Sequence, residues 1–260
     1  MIKLENYEVV GLEHAIRGMR NPKNSWEKSD SRYCSEYDHP PIEGSCEYCP
    51  YDKMCDKSEK SMQQMYLIGD NDLDLMTCLR NAGTDHRKFM RMIVVYLDIT
   101  APLYWWKEFD TYKVGTVANS CSTMHKIADK EFTLEDFSNE HLTAFIPGQE
   151  LKGWTLEEND LIALPNDPDY GYSSVGILRD IIIKALNFNR DNYLETKDKK
   201  YWWQMIQLLP SSYNQKRTVM LNYEVLANIY KSRRDHKLDE WHTLCDWIEG
   251  LPYSELITGK

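Results

Sequence analysis

Long hydrophobic runs are missing from this 260-residue chain: its apolar stretches, such as Met92 to Leu97, end after a few residues. A bilayer-spanning helix needs roughly 20 in succession, so no such helix is expected. Basic charge is scarce as well. Lysine and arginine number 31 against 41 acidic residues, a formal charge of -10, with an isoelectric point near 5.2. Non-specific binding to a nucleic-acid backbone depends on clustered cations that release counterions, so nucleic-acid polymers are excluded as general partners, although a small anion can still meet a local basic pocket. The amino terminus, Met1-Ile2-Lys3-Leu4-Glu5, has neither the apolar core nor the small-residue cleavage site of a signal peptide, and a cytoplasmic protein is expected. Seven cysteines make an odd number, which argues against a disulfide framework. Repeats and low-complexity tracts are also missing. What is present, 42% hydrophobic and 28% charged residues, is ordinary globular composition.

The patterning predicts a helix-rich α+β fold with a mixed sheet, one domain over residues 1–260 with a polar, cysteine-containing insert at about 26–62. Residues 3–10 read as a strand and 11–20 as a short helix closed by Gly18 and Asn21-Pro22. Asn71 is expected to cap a helix carrying Leu73, Met76 and Leu79 on one face and ending at Ala82-Gly83. The almost continuously apolar Met92–Ile99 predicts a strand covered on both sides. Pro102 suits the start of the next helix, through Trp105, Trp106 and Phe109. Residues 112–125 turn small and polar, as a functional loop would. Three later apolar stripes have helical period: Ile177 to Leu186, Trp202 to Leu209, and Leu238, Trp241, Leu244, Cys245 and Ile248.

Within the insert, Cys34, Cys46, Cys49 and Cys55 follow the spacing C-x11-C-x2-C-x5-C. Thiolates two residues apart can grip one tetrahedral zinc, and a segment too polar to build a core would gain order from it. A structural zinc or an iron–sulfur cluster therefore stands against reduced thiols in a loop. Cys121, with no histidine beside it in sequence, reads as a small packed thiol rather than a nucleophile.

In the middle of the chain Lys113 precedes Thr116 by three residues, followed by Asn119 and Ser122. Hydroxyls, an amide and an ammonium so placed suit a phosphate or a uracil-like ring, which need several fixed donors. This segment, Pro102 through Lys113 to Ser122, resembles the signature of the flavin-dependent thymidylate synthases: Pro, apolar residues, Arg-Gln-Trp-x-Arg-His-Arg, then a Ser, Asn/Glu and Ser succession. A second block is similar too, with Leu209-Pro210-Ser211-Ser212-Tyr213, Thr218 to Asn222, then Val225-Leu226 and Arg233 in the family's order. The resemblance touches roughly residues 1–25 and 70–250. This chain departs from it at Thr111-Tyr112-Lys113 in place of Arg-His-Arg and at Lys107-Glu108 in place of Arg-Gln. It departs again at Met90-Arg91 in place of Glu-His and at Asn222-Tyr223 in the late Asn-x-Arg.

The resemblance implies a flavoenzyme that transfers a one-carbon unit from methylenetetrahydrofolate to dUMP, with FAD as cofactor and NADPH as reductant, in a homotetramer. It implies cofactor contacts at His86, Arg91, Lys113, Asn222 and Arg233, and nucleotide contacts at Glu108, Thr116, Asn119, Ser122 and His125. No protein nucleophile is expected, because flavin supplies the hydride. The replaced signature residues leave a second reading open: a relative acting on another pyrimidine nucleotide, or one that only binds nucleotides.

Overall fold

The computed structural model describes residues 2–34, 49–51, 54, 65–142 and 174–260. In chain order the elements are β1 (Lys3–Val10), α1 (Leu12–Arg20), β2 (Arg32–Tyr33), β3 (Tyr66–Leu67), α2 (Asp70–Asn81), β4 (Val94–Pro102), α3 (Leu103–Phe109), β5 (Val117–Ser120) and α4 (Thr123–Lys126). Then come α5 (Lys184–Thr196), α6 (Lys199–Leu208), β6 (Asn214–Asn222), α7 (Tyr223–Arg233), α8 (Asp239–Glu249) and α9 (Glu255–Thr258). They fall into two compact units: Met1–Ala101 with Trp105–Ser120 and Lys216–Lys260, and Pro102–Tyr104 with Cys121–Gln215. Among the described residues no helix is long and apolar enough to cross a membrane.

The first unit is built on a four-stranded sheet in the order β1-β4-β6-β5. The β1–β4 and β5–β6 pairs run antiparallel. Along β4 the side chains alternate: Val95, Leu97, Ile99 and Ala101 are buried, whereas Tyr96 is 43% exposed. The expectation of two covered faces is thus corrected. β-Branched and aromatic residues favour a strand on its open face too, so a run of them does not reveal how many faces are covered. Residues 117–120, expected as loop, are an exposed strand paired with β6. Gly11 joins β1 to α1 at a φ of 92°, where a Cβ would stand 2.2 Å from the Met92 carbonyl oxygen, so only glycine fits.

Helix α1 buries Leu12, Ala15, Ile16 and Met19, and also Arg20. The Arg20 guanidinium donates to Asp72 of α2 at 2.6 Å. Asp72, fully buried, also accepts from the Ser29 and Ser31 hydroxyls at 2.7 and 2.6 Å and from the Asp30 and Ser31 amides, both at 3.2 Å. Asp30 in turn caps α2, its carboxylate accepting from the amides of Asn71 at 2.9 Å and Asp72 at 3.1 Å. Asn71 is therefore inside the first turn rather than its cap, and the capping side chain comes from 41 residues earlier.

Aromatic packing fills the rest of this unit. Trp105, Trp106 and Phe109 of α3 and Trp241 of α8 are all buried. The Trp105 ring lies 5.1 Å from Phe109 and 4.7 Å from Trp241, centroid to centroid. Helix α7 buries Tyr223, Val225, Leu226, Ala227, Ile229 and Tyr230, a nearly all-round burial that marks it as the central helix of the unit.

In the second unit the first apolar stripe winds as a π-helix over Ile177–Ile183 before continuing as α5. Its core gathers Phe132, Phe137, Leu178, Ile183, Leu186 and Met205. Asn187 clamps Phe132 by accepting from its amide at 2.8 Å and donating to its carbonyl at 2.9 Å. The charged stretch before α6 does what a helix start requires, with the Asp198 carboxylate accepting from the Lys200 amide at 2.9 Å.

Candidate functional site

Pro102 closes β4 and launches α3, which carries Glu108 to the surface of the aromatic core. The Glu108 carboxylate accepts from Arg233 at 2.8 Å and from the Trp241 indole at 3.1 Å, and His236 Nε2 lies 3.3 Å away. Arg233 also donates to the Tyr112 hydroxyl at 2.9 Å and stacks 4.8 Å above the Trp241 ring. Two residues expected on the ligands, Glu108 and Arg233, are thus brought together and engage each other. The carboxylate at the signature's glutamine position does not stand bare, since a guanidinium neutralises it. Glu108 is 35% exposed, so this pair contributes at most about 1 kcal/mol to stability.

The polar segment that follows is pinned by Asn222. Its side-chain oxygen accepts from the Val225 amide at 3.1 Å, capping α7, and its amide approaches the Gly115 carbonyl at 3.5 Å. Gly115 adopts a φ of 80°, and a Cβ there would come within 2.8 Å of the same Asn222 amide, so the turn needs glycine. Beside it the Thr116 hydroxyl is buried with no hydrogen-bond partner among the described residues. Lys113 is exposed and makes no ion pair among the described residues. Asn119 lies on β5 opposite Thr218. Thr218, Asn6 and Lys216 surround Asp98 at 2.6, 3.0 and 3.1 Å and hold its carboxyl down at about 2.

His86 precedes a short 3-10 turn and Arg91 is its last residue; both are exposed, while Met90 is buried. Between them Arg87 donates to Glu224 at 3.1 Å, and the second oxygen of Glu224 is buried without a partner among the described residues. In the second unit the Ser122 hydroxyl accepts from the His125 amide at 3.1 Å and so caps α4, leaving the His125 ring exposed. Gln215 steadies the preceding turn through the Cys121 carbonyl and the Thr123 hydroxyl, both at 3.0 Å. Cys121 is exposed, which corrects the packed-thiol reading. Of the four insert cysteines, Cys34 is buried and Cys49 half-buried, whereas Cys46 and Cys55 lie outside the described residues.

Two features of the first unit have no local signature in the sequence. Arg217 on β6 stacks 4.1 Å over Trp106 and donates to Asp110 at 2.7 Å. A cavity of about 300 Å³ is lined by four cations, Arg80, Arg87, Lys231 and Arg234, with Asn228 and Thr258. Burial first, and then the like charge of Arg87, lower the pKa of Arg80. These cations come from separate stretches of chain, so no local motif announces them.

No family model and no curated protein matches the chain. Its fold, however, is that of the flavin-dependent thymidylate synthases over 99% of its length. Two solved structures carry that statement, both of thymidylate synthase X (ThyX) from Helicobacter pylori with FAD and dUMP. One is 15% identical, covered over 97% of its own chain, with a TM-score of 0.56. The other is 14% identical, covered over 98%, with a TM-score of 0.55. At such identity the likeness is one of fold.

Proposed function

We propose that the chain is a thymidylate synthase-like flavoenzyme that binds FAD and dUMP and transfers a one-carbon unit from methylenetetrahydrofolate, with NADPH as reductant. The observation that carries this reading is the end-to-end likeness of fold to a protein solved with FAD and dUMP. FAD, when bound, supplies the hydride, and the chain's own residues bind and orient. The donors fit such an anionic cofactor in part. Lys113, Arg91 and His86 are exposed, and the Thr116 hydroxyl has no partner among the described residues. We assign the three basic residues to the flavin, and Thr116, Asn119, Ser122 and His125 to the nucleotide. Asn222 and Arg233 act as positioning residues, the first holding the Gly115 turn and the second holding Tyr112 and Glu108. A homotetramer belongs to the same proposal.

The test is direct. Purified protein should show flavin absorbance and form dTMP from dUMP, methylenetetrahydrofolate and NADPH; a colourless protein that takes up no FAD and makes no dTMP overturns the reading. Lys113→Ala is expected to weaken FAD binding about tenfold or more, because a charge-assisted bond contributes about 1.5–3 kcal/mol and each 1.4 kcal/mol is about tenfold. Flavin-fluorescence titration reads this, and the melting temperature of the flavin-free variant should not move.

One observation favours the second reading, a binder or an enzyme of another pyrimidine nucleotide. The Arg233 guanidinium is already engaged by Glu108, which lessens what it can give to a phosphate. A nucleotide that raises the melting temperature without turnover would support that alternative.

A further inference from the structure

We propose that the small cationic cavity of the first unit binds the phosphate group of a free small molecule, at a site separate from the flavin and nucleotide residues assigned above. Four cations line it: Arg80 from the last turn of α2, Arg87 from the 3-10 turn that follows, Lys231 from α7, and Arg234 just past the end of α7. Asn228 and Thr258 add an amide and a hydroxyl to the wall. All six residues belong to one compact unit. The chain as a whole carries a formal charge of -10, so this gathering of cations runs against its average.

The carboxylates nearby neutralise only part of that charge. Arg87 is held by Glu224 at 3.1 Å. Arg234 is held by Asp246, with Glu249 3.9 Å away, and Glu249 is itself engaged by Lys260 at 2.7 Å and by the Tyr230 hydroxyl. Arg80, by contrast, meets neutral groups. It donates to the Leu256 and Ile257 carbonyls of α9 at 3.1 and 3.2 Å and to the Asn81 side-chain oxygen at 3.0 Å. Lys231 is exposed and has no hydrogen bond or ion pair among the described residues. Two of the four cations therefore line the cavity without a carboxylate of their own among the described residues.

Charge and shape together select the ligand. Two uncompensated cations call for a doubly charged anion. Guanidinium forks match pairs of phosphate oxygens, and the lysine adds a point charge. Cations arriving from separate elements surround a tetrahedral group better than a flat carboxylate. A volume of about 300 Å³ lies at the small end of ligand pockets, room for one or two phosphates with a small attached group rather than for a dinucleotide. The crowding of the empty cavity has the matching sign: burial first, and then the like charge of Arg87, weigh on the Arg80 cation, and an anion between the two would relieve that repulsion. Bound there, the phosphate would join α2 and α7 to α9, whose carbonyls already hold Arg80.

Inorganic pyrophosphate is the probe. Titrated into the full chain at low ionic strength, with and without excess FAD and dUMP, it should bind by calorimetry and raise the melting temperature, as a ligand of the folded state does. Both effects should fade as salt is added. Lys231→Ala, which removes an exposed side chain, should weaken binding about tenfold and leave the melting temperature of the ligand-free protein where it was. Arg80→Gln should weaken it at least as much; if that variant fails to fold, Lys231→Ala decides alone. Lys113→Ala, at a residue assigned to the flavin, should bind pyrophosphate as the parent chain does. Absence of binding at millimolar pyrophosphate, unchanged affinity in Lys231→Ala, or loss of binding when FAD or dUMP is in excess would each overturn the proposal. The last result would put the pyrophosphate on the flavin or nucleotide residues instead. The titration without FAD needs no flavin, so failure here and failure of the flavoenzyme reading are separate results.

Discussion

Replacing Asp72 by alanine is expected to cost about 3–5 kcal/mol, because it leaves the Arg20 guanidinium buried without its counter-charge. Both side chains are nearly sealed from solvent, at 0% and 5% exposure. The carboxylate also gathers the Ser29 and Ser31 hydroxyls and two backbone amides. Its removal therefore undoes the join between α1, the 29–31 segment and the first turn of α2 at once. Urea denaturation of the full chain, monitored by tryptophan fluorescence, measures the loss. A cost below about 1 kcal/mol, the range of an exposed ion pair, would show that the cluster is not the buried clasp described above.

The same carboxylate sets a pH dependence with a definite sign. Burial pushes the Asp72 pKa up, but the Ser31 and Ser29 hydroxyls and Arg20 overcome it, and the net shift is downward. A folded-state value below the unfolded one, near 3.9, means that the stabilisation is complete above the unfolded value. It is lost as pH falls through the folded value. Asp98 contributes with the same sign. Asp72→Asn should therefore flatten the acid limb of the stability curve while leaving the slope near neutrality unchanged. An unaltered acid limb would contradict the assignment.

What was legible in the sequence follows from the range of the forces involved. β1, α1, α3 and α8 announce themselves because the period of their apolar residues is a local property, as Trp241, Leu244, Cys245 and Ile248 show by facing one core. The cap of α2 was not legible, since Asn71 looks like a cap and Asp30 acts as one from a distant loop. β5 escaped notice because Val117-Ala118-Asn119-Ser120 carries a weak strand pattern and is a strand by virtue of β6 beside it. The site divides the same way. The resemblance marked Glu108 and Arg233 individually, but their meeting spans 125 positions and could be read only once α3 and α7 were placed. The four cations of the small cavity belong to the same class of non-local features.

Trp241 is where the core and the candidate site depend on one side chain, and Trp241→Ala is expected to cost about 3–5 kcal/mol as a large-to-small change in a packed interior. The residue is fully buried and packs on Trp105 at 4.7 Å. It also supports Arg233 at 4.8 Å and donates its indole N–H to Glu108 at 3.1 Å. Alanine would remove the ring under the guanidinium and one of the donors on the carboxylate, so the Glu108–Arg233 pair should loosen along with the core. Trp241→Phe separates the two effects. It keeps an aromatic surface for Trp105 and Arg233 but withdraws the N–H, for which a loss nearer 1–2 kcal/mol is expected, made up of about 1 kcal/mol for the hydrogen bond and a smaller packing term. Chemical denaturation of both variants beside the parent chain gives the two numbers. If phenylalanine proves as damaging as alanine, the indole hydrogen bond to Glu108 matters more than the ring. If both are mild, the stacked tryptophans are not the keystone of the first unit and Arg233 must be held in place by Tyr112 and Glu108 alone.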